Sequence, residues 1–369
     1  MKHDADNAAL PRIDAPSRIK GRGAASNPEG RFESVAKTRE DDGWHRDAEP
    51  APRPDTVVTE ERARTIISRN DSPDIHFEQS INPYRGCEHG CIYCYARPSH
   101  GYLNLSAGID FETKLFAKPN AAELLRKELA KPGYVPSPIN LGANTDPYQP
   151  IERRYRITRS ILQVLAEHNH PCTIITKNGL IERDLDLLVP MARANLVHAF
   201  VSVTSLDNRL ASTLEPRASA PHRRLQTVAT LNEAGVPCGV MVAPIIPMVT
   251  DRYLEEIIER AAAAGAKGAG YTILRLPHEL KDLFREWLDL HVSERAGHVM
   301  SLIQQMRGGR DNDPRFGSRM RGEGEFADLI RQRFALACRR HRIARGRDIV
   351  LDRSRFSPPR AESPQRELF

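Results

Sequence analysis

A partial (β/α)6 TIM-like barrel, an α/β fold with a C-terminal helical extension and a disordered N-terminal tail, is what this 369-residue sequence predicts. Two observations predict it. From about residue 77, short β-branched apolar runs alternate with longer amphipathic stretches six times over. Polar residues gather just past those apolar runs, where a barrel keeps its working groups. No apolar run approaches the roughly 20 residues that would span a bilayer, and the start "MKHDADNAALPRIDAPSR" lacks the apolar core of a signal peptide. An open doubly wound sheet would show the same alternation and is the alternative.

Residues 1–65, rich in Pro, Gly, Asp, Glu and Arg, read as a mostly disordered tail. One stretch, "KGRGAASNPEGRFES", has Phe32 to bury and could lie extended on a domain surface, but a plain tail is the reading favoured. Residues 66–291 make the core. "IHFEQSINPY" predicts the first strand and "NAAELLRKELA" a helix; "SPINLGAN" a strand and "RITRSILQVLAEHN" a helix. "CTIITKN" precedes the helical "IERDLDLLVPMARAN", in which Pro190 is a candidate break or kink. "LVHAFVSVT" precedes "PHRRLQTVATLNEAG", where Gly235 is a helix stop. "PCGVMVAPIIP" precedes "TDRYLEEIIERAAAAG", and "GAGYTILRLP" precedes "PHELKDLFREWLDLH". Residues 292–346 read as two or three helices around a Gly/Arg-rich loop, and 347–369 as a flexible tail.

Asn144, Thr145 and Asp146 follow the second strand; Thr176, Lys177 and Asn178 end the third; Ser202, Thr204, Ser205 and Asp207 end the fourth. Pro244 to Pro247 closes the fifth and Arg275 lies at the end of the sixth, so each unit contributes to one rim. Helix capping accounts for about half of such Asn, Asp, Ser and Thr residues.

Six cysteines, three of them in "INPYRGCEHGCIYCYARPSH", are not the even framework of a small secreted disulfide protein, and a reduced compartment, the cytoplasm, fits. Cys87, Cys91 and Cys94 form C-x-x-x-C-x-x-C in a loop after the first strand. A structural zinc site would need a fourth ligand, for which only His89 or His100 stands near in sequence. Disulfide pairing leaves one cysteine over. Three thiolates suit a four-iron cluster that keeps one iron open to another ligand.

This motif, with Tyr93 just before its last cysteine and placed after the first strand of a six-unit β/α chain, resembles the radical S-adenosylmethionine (SAM) superfamily. More narrowly, "TDPYQPIER", "LEPRA", "APIIP" and "LRLP" resemble an uncharacterised bacterial family related to spore photoproduct lyase, often labelled DNA repair photolyase. The resemblance implies a [4Fe-4S] cluster on Cys87, Cys91 and Cys94, with SAM on the fourth iron and its adenine near Tyr93. It also implies an external electron donor and reductive cleavage of SAM to a 5′-deoxyadenosyl radical. Asn144, Thr145 and Asp146 stand where the superfamily usually has a Gly-Gly-Glu-like segment, and Asp146 would replace its carboxylate. Lys177 would pair with the SAM carboxylate, and Ser202 or Thr204 would bond ribose or carboxylate. Tyr84, Tyr95, Tyr148 and the Ala243–Met248 segment would shield the radical from solvent.

Spore photoproduct lyases carry a further cysteine downstream of the cluster; here none lies between residues 95 and 171. Cys172 and Cys238 open strands and are expected in the core, which leaves Cys338 as the candidate hydrogen-atom donor. A net charge of +6 favours an anionic partner such as DNA. The loop "RGGRDNDPRFGSRMRG" carries Arg307, Arg310, Arg315, Arg319 and Arg321 with Phe316, a composition suited to phosphate contacts and base stacking. The closing Gln365-Arg-Glu-Leu368-Phe369 resembles the peptide by which repair proteins dock on the sliding clamp. The expected function is a radical SAM enzyme acting on DNA; modification of RNA or protein, and a non-catalytic metal-binding DNA accessory protein, are the alternatives.

Overall fold

The computed structural model describes residues 18–32, 54–345 and 350–359. Six parallel strands form its centre: β1 (Gln79–Ile81), β2 (Ile139–Leu141), β3 (Cys172–Thr176), β4 (Val197–Ser202), β5 (Cys238–Ile245) and β6 (Gly268–Ile273). They pair in sequence order, each with the next. That order decides between the two candidate architectures, because a doubly wound sheet reverses direction at a switch point and this one never does. Residues 67–69 pair antiparallel with β1 and residues 344–345 parallel with β6, so the sheet ends in two edges and the barrel is open.

The helices fall where the apolar spacing puts them: α1 (Ala121–Leu129), α2 (Ile157–Glu167), α3 (Leu185–Arg193), α4 (Pro221–Glu233), α5 (Leu254–Ala263) and α6 (Leu280–His291). Pro190 lies inside α3, which runs on to Arg193 without a break, since proline removes only one intrahelical hydrogen bond. Gly235 ends α4 in the left-handed region, at φ 84°. In the C-terminal extension, α7 (Ala296–Gln305) and α8 (Glu325–Arg340) flank the Arg-rich loop, and α8 packs on α5 through Ile330, Phe334 and Cys338. Among the described residues no helix is long and apolar enough to cross a membrane.

Three segments assigned to tails by composition are ordered, one of them a strand, Val57–Glu60, that pairs in parallel with residues 114–117. Residues 18–32 form a strap over the loop that follows β1, with Ala24 buried and the Gly23 and Ala24 amides donating to the Glu112 carboxylate at 3.0 and 2.9 Å. Residues 350–359 cross the opposite end of the barrel. There Phe356 packs between Tyr134 and His170, and the Ser357 amide donates to the His168 carbonyl. In each, contacts to residues far along the chain outweigh a polar composition; the strap is also held by Asn27 on Asp110, Ser26 on Glu286 and Arg31 on Glu279. The remaining tail residues, Gln365, Leu368 and Phe369 included, lie outside the described residues.

Candidate active site

The three clustered cysteines hang in one loop at the C-terminal rim. Gly86 and Gly90, with φ of 72° and 67°, turn the chain around Cys87, whose amide donates to the Phe111 carbonyl at 3.0 Å. A Cβ on Gly90 would stand 2.6 Å from a Glu112 carboxylate oxygen, so the position requires glycine twice over. Arg97 fixes the rest. Fully buried, it donates to the carbonyls of Cys91, Gly90, Ala107 and Gly108 at 2.8 to 3.1 Å and pairs with Glu112.

A second clamp comes from "LEPRA" at residues 214–218, which carries the chain from the end of a short helix back under the loop. The Leu214 carbonyl accepts from the Ile92 amide, and Arg217 pairs with Glu88. Glu215, buried, accepts from the Tyr93 hydroxyl, from Thr204 Oγ1 at 2.8 Å and from the buried Arg224 guanidinium. Sequence reading missed Arg97, Glu112, Glu215 and Arg224. The one available signal was "LEPRA" itself, quoted for its resemblance without a role for its acid.

Cys87 and Cys91 are buried and Cys94 is half-buried, packed against both neighbours' surroundings. Burial pushes the Cys87 and Cys91 thiols up; Asp146 adds to the rise at Cys87, while Lys177 opposes it at Cys91. Thiols so placed hold charge only beside a cationic group. Among the described residues no three His, Cys, Asp or Glu side chains converge on one metal ion. An iron–sulfur cluster, in contrast, takes one thiolate per iron and asks for thiols spread around it. The two histidines that a zinc site would call on are engaged elsewhere: His100 Nε2 contacts the Lys114 carbonyl at 2.9 Å, and His89 lies between Asp146 at 3.4 Å and Asn178 at 3.3 Å. The residues present fit a cluster and do not fit a single zinc ion.

Around these thiols the rim brings together most of the residues singled out in the sequence. Lys177 lies with its ammonium 5.9 Å from the Tyr93 ring centre and has no carboxylate partner among the described residues, which leaves it available to an anion beside Cys91. Thr204 and Ser202 are buried; Thr204 bonds Glu215 and the Ala243 carbonyl. The Asn144 and Thr145 amides both donate to Asn82 Oδ1, which ties the β2 rim to the loop after β1. Asn178 and Asp207 cap the helical turns that follow them, as the capping reading expects. Of the proposed shield, Tyr84 and Tyr148 are core residues bonded to Glu152 and Asp184, whereas Tyr95 stands on the rim, 47% exposed, its hydroxyl on the Ala143 carbonyl. Cys172, Cys238 and Cys338 are all buried, Cys338 on α8 in the core it forms with α5.

Asp146 holds three segments. Its oxygens accept from the Tyr148 amide at 2.9 Å, Thr176 Oγ1 at 2.7 Å and the Lys177 amide at 2.8 Å, with His89 at 3.4 Å. Burial alone would raise this carboxyl, but His89, Lys177 and Thr176 hold it down at about 2 against an ordinary 3.8. A depressed carboxylate stabilises the fold fully above its unfolded value and loses that contribution as pH falls through about 2. The wild type is therefore expected to lose about 2 kcal/mol between pH 5 and pH 2 through this group. Urea midpoints of Asp146→Asn should lack that part of the pH dependence; an identical slope in both proteins would remove the assignment.

Residues 81–261 match the family model described as Radical SAM superfamily. An uncharacterized protein of Mycobacterium tuberculosis strain H37Rv is 39% identical over 214 residues, which cover 58% of this chain and 63% of that protein. An uncharacterized protein of Methanocaldococcus jannaschii is 27% identical over 171 residues, 46% of this chain and 61% of that protein. The chain thus spans less than two thirds of these relatives' length. Among solved structures, spore photoproduct lyase complexed with dinucleoside spore photoproduct superposes with a TM-score of 0.55 at 16% identity, over 78% of this chain and 80% of that one. This is a likeness of fold.

Proposed function

We propose, from the match of residues 81–261 to the Radical SAM superfamily model, that the chain is a cytoplasmic radical SAM enzyme that cleaves SAM reductively and acts on DNA. The observation that carries the reading is the set of three cysteines in one rim loop, gripped by Arg97 and Glu215, with Lys177 beside Tyr93 and without a carboxylate partner among the described residues. When bound, a [4Fe-4S] cluster and SAM, fed by an external electron donor, supply a 5′-deoxyadenosyl radical.

The chain's own part is position and exclusion. Cys87, Cys91 and Cys94 would hold the cluster, and Lys177 would meet the carboxylate of SAM. Tyr93, its hydroxyl fixed on Glu215, offers a ring of set orientation on which adenine can pack. Asp146 keeps the ends of β2 and β3 at fixed spacing, and Tyr95 covers the mouth between the cysteine loop and β2. A DNA substrate is supported by the fold shared with spore photoproduct lyase and by the net positive charge. The terminal Gln365, Leu368 and Phe369 would tether the enzyme to the sliding clamp. Deep burial of Cys172, Cys238 and Cys338 favours a second reading, modification of RNA or protein, since a lyase-type return of hydrogen calls for a thiol near the substrate.

Anaerobically reconstituted protein with reductant and SAM tests this directly. Formation of 5′-deoxyadenosine is expected to rise at least about tenfold with ultraviolet-irradiated DNA over intact DNA or none. Turnover that no DNA changes would retain the radical chemistry and discard the DNA substrate.

A further inference from the structure

Arg275 stands two residues past β6 on the rim, and its guanidinium has no oxygen acceptor among the described residues. Among the described residues its one hydrogen-bond contact is Met320 Sδ at 3.8 Å and its buried Nε has no partner; the group lies 5.6 Å from the Tyr95 ring centre. The nearby acid, Asp74, is committed: it accepts from Arg319 Nε at 2.7 Å and from the Gly317 amide at 3.3 Å. A cation–π contact returns less than a charged donor forfeits when its hydrogen bonds go unmade. The fold therefore holds in place a half-buried cation that no acid of the described residues neutralises by direct contact, open to an anion from outside.

The Arg-rich loop explains what that anion is. Its arginines divide sharply. Arg307 is buried and donates to the carbonyls of Leu274, Ser318 and Arg319; Arg315 pairs with Asp313 and Glu323. Those two are structural, contrary to the phosphate role their composition suggests. Arg310 and Arg321 are exposed and add positive charge to this face, and the aromatic residue the loop leaves at the surface is Phe316, 59% exposed and backed by the Arg319 guanidinium at 4.7 Å. An unfilled guanidinium beside one aromatic ring and near a second, cation-backed ring is the pairing that takes a phosphate and the base attached to it. A base paired in a duplex could not stack on Phe316, so the strand this site takes is single. The SAM carboxylate is the other anion at this mouth, but Lys177 serves it from β3, with β4 and β5 between that strand and β6.

We propose that Arg275 seats a phosphodiester of a single-stranded DNA segment against Tyr95, while Phe316 stacks the adjoining base. This inference rests on the DNA reading above and makes it specific. The test is anisotropy titration of the full chain with a labelled single-stranded oligodeoxynucleotide, an abasic strand of equal length and the matching duplex, at several salt concentrations. Arg275→Ala is expected to weaken the normal and abasic strands alike, about tenfold, and to reduce the salt slope by about one. Phe316→Ala should weaken only the base-bearing strand, by about tenfold. Arg275→Lys, which keeps the charge and loses the planar fork, should fall between wild type and alanine, a gradation that misfolding would not produce. Wild-type affinity and slope in Arg275→Ala, lost SAM binding with DNA binding intact, or equal affinity for the duplex would each overturn the proposal while sparing the DNA reading. A wild-type chain that binds no oligonucleotide would overturn both.

Discussion

In Cys91→Ala, iron after anaerobic reconstitution is expected to fall from about four per chain to below about one, and 5′-deoxyadenosine formation by at least about a thousandfold. The size of the effect follows from the count of thiolates. Three are needed, and the neighbouring histidines that could replace one are held by Asp146, Asn178 and the Lys114 carbonyl. The substitution deletes only a sulfur. The backbone there is pinned by the Cys91 carbonyl on Arg97 and by the Ile92 amide on Leu214, so the apo chain should lose no more than about 1 kcal/mol. Iron and sulfide content, product formation and the thermal melt of the apo protein separate loss of cluster from loss of fold. A variant that keeps its iron and its turnover would mean the ligands lie elsewhere, and a wild type that takes up zinc in place of iron would refute the cluster.

Legibility in the sequence followed burial. Parallel strands covered on both faces read as short apolar runs, which is why "CTIITKN" and "PCGVMVAPIIP" place Cys172–Thr176 and Cys238–Ile245 with little error. The rim residues were legible for the same reason, since each simply follows a strand. Glu112 was not. In "GIDFETK" it looks like any surface acid, and its partners at Gly23 and Ala24 are 89 and 88 residues away. The strap was read as tail because composition averages over a segment, whereas residues 18–32 are held by particular contacts to distant residues: Glu112, Asp110, Glu286 and Glu279. Phe356 shows the same limit at the other end: one ring inserted beside His170 orders a stretch whose average is polar. The Arg-rich loop erred in the opposite sense, because sequence cannot tell an arginine whose donors end on carbonyls, as in Arg307, from one left open, as in Arg275.

The second large effect concerns that hidden pair. Arg97→Ala is expected to destabilise the chain by about 3–5 kcal/mol, the cost of leaving a buried carboxylate without its cation. Both side chains are fully buried, and the guanidinium also serves four carbonyls, two of them from Gly90 and Cys91. For that reason the double variant Arg97→Met, Glu112→Gln should recover less than half of the loss: neutralising the acid removes the unpaired charge but leaves those carbonyls without a donor. Urea unfolding measures the first effect. Trypsin with peptide mapping measures the second, because Arg22 lies on the strap beside the amides that Glu112 holds and should become more readily cleaved once Glu112 no longer anchors them. Iron retention should fall together with strap protection, since the arginine that pairs with the strap's anchor also shapes the cysteine loop. An Arg97→Ala chain with the wild-type urea midpoint and an uncut strap would instead mean that the Gly23 and Ala24 amides suffice for Glu112. The loop's shape would then come from Gly86, Gly90 and the Leu214 carbonyl alone.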